Sequence, residues 1–165
     1  MSLSFDHLLA AHISRVHRAA LGIMGEEQEA REVAQESLLK AFRARDRYDR
    51  GRPFYPWLYR IVKNTCLDAL ARRRHRALPG LDAHRVVSRS PSALDQMGQQ
   101  EAIQQMRAAI QRLSVGHREI LSMRHFQELS YQEIGEILDL PQGTVMSRLY
   151  RARQALARVL EGEEP

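Results

Sequence analysis

The chain has 165 residues and a formal net charge of +5, with 25 lysines and arginines against 20 aspartates and glutamates. That length allows one medium domain or two small ones, and a basic balance favours an anionic partner, nucleic acid before a membrane surface. No apolar run approaches the roughly 20 residues of a membrane span, and the N-terminus lacks the basic start and unbroken apolar core of a signal peptide. Cys66 is the single cysteine, which excludes an internal disulfide, makes a cytoplasmic location the expectation, and reads as a packed small hydrophobe.

Nearly every segment reads as helix. Residues 5 to 24 carry an apolar stripe through Leu8, Leu9, Ile13, Val16, Ala20 and Leu21, and the next helix places Ala30, Val33, Ala34, Leu38 and Phe42 inside with its glutamates outside. "DRGRPFYP" is a turn-rich break. A third long helix opens with Pro56 in its first turn and closes on "RRRHR", a cationic end that suits the helix dipole. The stripe then disappears: "RALPGLDAHRVVSRSPSALDQ" has two prolines, a glycine and several serines and aspartates, the composition of a flexible linker. Helical periodicity resumes with "MGQQEAIQQMRAAIQRL" and "SVGHREILSMRHF". The expected architecture is all-α, two small helical domains over residues 1–75 and 98–165, tethered by a linker over 76–97.

The last segment, "LSYQEIGEILDLPQGTVMSRLYRARQALARVL", pairs two helices. Ser130 and Glu133 form an S-x-x-E capping box, and Ile134, Ile137 and Leu138 give the first helix one apolar stripe, which "DLPQG" ends. In the second helix Val145, Leu149, Ala152 and Leu156 bury one face, leaving Ser147, Tyr150, Arg151 and Gln154 outside. Two helices on a short turn, the second polar outside, fit a helix-turn-helix or an ordinary helical hairpin with a solvated face.

Charge is divided along the chain. Residues 26 to 36 hold five glutamates against Arg31, while residues 43 to 76 hold eleven arginines and lysines against three aspartates. The basic segment is interleaved with Tyr48, Phe54, Tyr55, Trp57 and Tyr59, and arginines with aromatic rings suit phosphates and unstacked bases. Trp57 reads as a core anchor, Phe54 and Tyr55 as base contacts from a Gly-Pro loop. Arg60, Asn64 and Asp68 recur every four residues on one helix face, either a base-reading ladder or a surface in which Asp68 pairs with Arg72. Enzyme signatures are missing: there is no HExxH, no phosphate-cradling glycine loop and no cysteine cluster, and no cofactor or metal is expected. His7, His12 and His17 step about 140° round a helix and cannot share a metal.

"EAREVAQESLLKAFRARDRYD" with "FYPWLYRIVKNTCLDALARRRHR" resembles the second conserved region of bacterial sigma factors, and "LSVGHREILSMRHFQELSYQEIGEILDLPQGTVMSRLYRARQAL" resembles their fourth. Two such regions and a linker resemble the extracytoplasmic-function (ECF) group of the sigma-70 family. The resemblance implies a non-enzymatic promoter-recognition factor whose partners are core RNA polymerase, through its clamp helices and flap, promoter DNA, and an anti-sigma factor, with no membrane insertion. It implies polymerase contacts at Glu32, Gln35 and Glu36. It implies −10 DNA contacts at Arg52, Phe54, Tyr55, Arg60, Lys63, Asn64 and Asp68, and −35 contacts at Thr144, Met146, Ser147, Arg148 and Arg151. The family often has aspartate where Glu32 stands and arginine or lysine where Met146 stands.

Overall fold

A computed structural model describes residues 4–76 and 94–162, without the side chains of residues 94–99. Helix α1 spans Phe5–Ala11, α2 Ile13–Met24, α3 Glu27–Arg43, α4 Phe54–Arg76, α5 Leu94–Arg112, α6 Val115–His125, α7 Tyr131–Leu138 and α8 Gln142–Leu160, with one 3-10 turn at Arg45–Arg47. No strand occurs among the described residues. The expected linker over 76–97 lies largely outside them.

Helices α1 to α4 pack into one bundle and α5 to α8 into another. The stretch expected as one helix over 5 to 24 is broken at His12, whose φ of −106° and ψ of 1° leave the helical region. Its ring Nδ1 lies 2.7 Å from the Leu8 carbonyl oxygen, which the helix break leaves open. The break turns Ile13 outward, to 50% exposure, instead of into the core.

Helix α3 buries Ala30, Val33, Ala34, Ser37 and Ala41. Small residues there let α3 approach α2 and α4 closely, and Ser37 is tolerated inside because its hydroxyl donates to the Val33 carbonyl at 2.7 Å. The inner stripe thus runs through Ser37 and Ala41. Phe42, expected inside, is 44% exposed, and Leu38 is half-buried.

The helix-turn-helix forms as its sequence implies. Ser130 Oγ accepts from the Glu133 amide at 3.2 Å while the Glu133 carboxylate accepts from the Ser130 amide at 2.8 Å. That amide bond is the chief reason the Glu133 carboxyl sits below its ordinary range, the Ser130 hydroxyl adding to it. The turn itself departs from expectation. Asp139 takes the left-handed position with φ of 56°, the Leu140 amide returns to the Gly135 carbonyl at 2.9 Å, and Gly143 already lies within α8. A Cβ on Gly135 would stand 2.7 Å from the Leu140 carbonyl oxygen, so the turn closes over this position because it has no side chain.

The two bundles share one contiguous core. Helix α6 has six consecutive buried residues, Arg118 to Met123. A helix on the surface of a bundle buries one stripe; six in a row require cover on several sides. Helices α7 and α8 supply it from one direction and α2 from another. Gly22 stands in the last turn of α2, and glycine inside a helix costs up to about 1 kcal/mol relative to alanine. The backbone there is ordinary helix; the close neighbour is Ser122 of α6, whose side chain a Cβ on Gly22 would overlap.

Candidate nucleic-acid interface

Three surfaces collect the residues singled out above. The first is the outer face of α3. Glu32 and Gln35 are exposed and Glu36 is half-buried. Glu36 is not a free anion: Lys40 Nζ donates to it at 2.9 Å and Arg72 Nη2 at 3.4 Å. The Lys40 bond leads the effects that hold its carboxyl below the usual range. Arg73 likewise reaches Glu29 at 3.1 Å, so the cationic end of α4 lies against the acidic helix. Leu39 and Phe42 follow Gln35 at i+4 and i+7, on the same face, and both are exposed. The sequence reading missed this apolar component because it assigned large apolar residues inward; two adjacent exposed large hydrophobics on one helix face are the available signal.

The second surface is α4. Arg60, Asn64 and Asp68 are all exposed on one side of it. Asp68 lies 3.9 Å from Lys40, while Arg72, its alternative partner, turns to Glu36. Arg52 is exposed beside Asp49 at 3.6 Å. Phe54 and Tyr55 depart from expectation: α4 begins at Phe54, so they belong to its first turn and are buried, not displayed on a loop. Phe54 packs at ring-centroid distances of 5.1 Å from Tyr48, 5.2 Å from His12, 5.5 Å from Phe5 and 5.7 Å from Trp57. The Tyr55 ring stacks on His12 at 5.6 Å with the Arg15 guanidinium 3.7 Å above it. Rings whose faces are already covered cannot stack on a base. Burial pushes the Tyr55 hydroxyl up to about 12, and it donates to Gln127 Oε1 at 3.1 Å. Trp57 is half-buried against the same cluster, consistent with an anchor. Lys63 is half-buried and donates to Glu119 Oε2 of α6 at 3.0 Å.

The third surface is α8. Val145, Leu149 and Ala152 are buried as the spacing requires, with Ala155 and Val159 extending the stripe and Leu156 half-buried. Ser147, Arg148, Tyr150 and Arg151 are exposed, Met146 is 53% exposed, and Thr144 is half-buried in the first turn. Ser147 Oγ donates to the Thr144 carbonyl at 3.0 Å, Arg151 Nε to the Ser147 carbonyl at 3.4 Å, and Gln154 Nε2 to Tyr150 Oη at 2.6 Å. The result is an exposed polar face whose side chains are partly held by bonds within the helix itself.

Residues 8–76 match the family model for sigma-70 region 2, and residues 103–156 match that for sigma-70 region 4. The chain belongs to the ECF group of the sigma-70 family. Among curated relatives, this sigma factor is 35% identical over 156 residues to the ECF RNA polymerase sigma factor SigE of Mycolicibacterium smegmatis, covering 93% of this chain and 60% of that one. It is 30% identical over 167 residues to the RNA polymerase sigma-H factor of Pseudomonas aeruginosa, covering 96% of this chain and 86% of that one. Its fold resembles the sigma factor RpoE of Bartonella quintana, solved with the anti-sigma factor NepR, at a TM-score of 0.67 and 24% identity over 98% of both chains. It also resembles CnrH, solved with the cytosolic domain of CnrY, at a TM-score of 0.65 and 25% identity over 96% of this chain and 88% of that one.

Proposed function

We propose that this sigma factor directs core RNA polymerase to promoters by reading a −35 element with α8 and by recognising and opening a −10 element with α4. The observation that carries the reading is the pair of exposed polar faces, Arg60–Asn64–Asp68 on α4 and Ser147–Arg148–Arg151 on α8, each held by a bundle of the matching sigma region. Asn64 offers both a donor and an acceptor to a base edge. Capturing a base that only melted DNA exposes shifts the duplex toward the open state, because the interaction is absent from the closed one. Arg52 and Arg60 supply sequence-independent attraction to phosphates. Phe54 and Tyr55 act beneath this face, as the aromatic platform on which the first turn of α4 is seated.

The face of Glu32, Gln35 and Glu36 docks the clamp helices of core polymerase, with Leu39 and Phe42 as its apolar part, and the α5–α8 bundle engages the flap. The role is binding rather than catalysis. Its place of action is the cytoplasm, where polymerase meets DNA, and the regulating partner is a protein of the anti-sigma class, the class solved with the RpoE neighbour.

Each bundle reads a few bases, so the free protein is expected to bind DNA weakly and with steep salt dependence. Core polymerase raises the effective concentration of the second bundle at its element. Run-off transcription from genomic fragments by core polymerase must depend on adding this chain. Tight, promoter-specific duplex binding by the free protein would count against the assignment.

Met146 gives the second expectation. It lies about 100° round α8 from buried Val145, on the flank beside Ser147 and Tyr150. Methionine there offers only apolar contact, for instance to a thymine methyl. Met146→Arg should tighten −35 binding at low salt, steepen the salt dependence by about one counterion, and weaken a thymine preference at one position. Holoenzyme affinities across a salt series, on duplexes with each base at each −35 position, report all three. An unchanged slope with unchanged base preference would place Met146 away from DNA.

A further inference from the structure

We propose that Tyr48 is a positioning residue for −10 reading: its hydroxyl straps the loop of residues 49–53 into the shape that presents Arg52 to the melted strand. This rests on the promoter reading above, which places Arg52 among the −10 contacts. The Tyr48 ring follows the 3-10 turn at Arg45–Arg47 and is held from two helices, with centroids 5.1 Å from Phe54, 5.2 Å from Trp57 and 6.3 Å from Phe5. Phenylalanine would make the same three ring contacts, so packing does not account for the hydroxyl. The hydroxyl donates across the loop to the Arg52 carbonyl at 2.7 Å.

That bond completes a set. The Arg52 amide donates to the Asp49 carbonyl at 3.0 Å, closing a turn, and the Gly51 amide donates to Asp49 Oδ1 at 2.9 Å. Pro53 follows and biases the residue before it toward extended backbone. Both backbone polar groups of Arg52 are therefore taken inside the loop. Water would satisfy the same groups at an exposed position, so the internal bonds fix a shape that solubility does not demand.

The Arg52 side chain is in the opposite condition. It is 79% exposed, and its one close charge is Asp49 Oδ2 at 3.6 Å, a solvated pair that a phosphate can displace. A backbone pinned on both sides beneath an open side chain is a preorganised contact: the loop loses its freedom on folding, so little is left to lose when the strand binds.

Tyr48 also sets the loop relative to the helix that follows. Its hydroxyl holds Arg52, while its ring packs edge-on against Phe54, the first residue of α4. One side chain thereby joins the two parts of the −10 surface, the loop with Arg52 and the α4 face of Arg60, Asn64 and Asp68.

Tyr48→Phe removes the hydroxyl and keeps the ring. In the full-length free protein, tryptic cleavage of the Arg50–Gly51 bond, followed by mass spectrometry, tracks how often the loop opens. Losing the strap should raise that rate about two- to tenfold, with the thermal midpoint and core polymerase affinity as in the wild type. The second readout uses single-stranded oligonucleotides that wild-type holoenzyme selects from a random pool, with each base then substituted in turn. At saturating core, Tyr48→Phe should weaken their binding about two- to tenfold and flatten a base preference. It should add nothing once Arg52→Ala has removed the side chain being positioned, whereas a residue that only stabilised the fold would weaken both backgrounds equally. Wild-type cleavage overturns the strap. So do additive losses in the two backgrounds, or a lower thermal midpoint together with weaker core binding, since the hydroxyl would then serve the fold. The promoter reading fails in a different way: a loosened loop, with strand binding indifferent to both Tyr48→Phe and Arg52→Ala, removes this loop from −10 reading. A loop indifferent to the hydroxyl, with binding lost in Arg52→Ala, removes the strap and keeps the reading.

Discussion

Leu149→Ala is expected to remove −35 reading while leaving polymerase docking through α3 intact. Leu149 is 1% exposed in α8, within the stripe by which that helix packs on α6 and α7. Truncating a buried leucine costs about 2–5 kcal/mol, depending on how far the site can collapse. A whole domain is stable by only about 5–15 kcal/mol, and a four-helix unit this small sits near the lower end. The α8 face would then be presented for a fraction of the time, or not at all. A urea titration followed by circular dichroism should show an early loss of part of the helical signal, with −35 duplex affinity of the holoenzyme falling in parallel. Wild-type stability together with wild-type −35 affinity would show that α8 is not held by this core.

Asn64→Ala and Glu36→Arg should fail at different steps. Asn64 is exposed on α4 and has no side-chain partner among the described residues, so alanine there should leave folding and core affinity unchanged. A lost base contact is worth about 1–3 kcal/mol, which slows open-complex formation about 5- to 150-fold. Glu36→Arg instead sets a third cation beside Lys40 and Arg72, which now hold the carboxylate at 2.9 and 3.4 Å. Losing a charged contact and gaining repulsion should weaken core binding about tenfold to a hundredfold, with melting recovered once core is saturating. Permanganate reactivity of unpaired thymines measures the first, titration with core polymerase the second. Normal melting by Asn64→Ala, or core binding indifferent to Glu36, removes that role from that residue.

Local rules carried much of this protein. The capping box at Ser130 and Glu133, the inward stripe of Val145, Leu149 and Ala152, and the outward Arg60–Asn64–Asp68 ladder all follow from spacings of three and four residues, which the helix itself converts into directions. What those spacings leave open is which of two neighbouring stripes faces a partner. On α3 the packing chose Ser37 and Ala41 over Leu38 and Phe42, because small residues let helices approach and a buried hydroxyl can be satisfied by its own helix. At the start of α4 it drew Phe54 and Tyr55 inward, because Phe5 and His12, more than forty residues away in sequence, supply rings against which they bury. Gly22 and Glu119 carry no local signal at all. Their reasons are Ser122, and Tyr59 with Lys63, each on the other bundle. A contact across that separation is set by how two finished surfaces fit, and no periodicity within either helix encodes it.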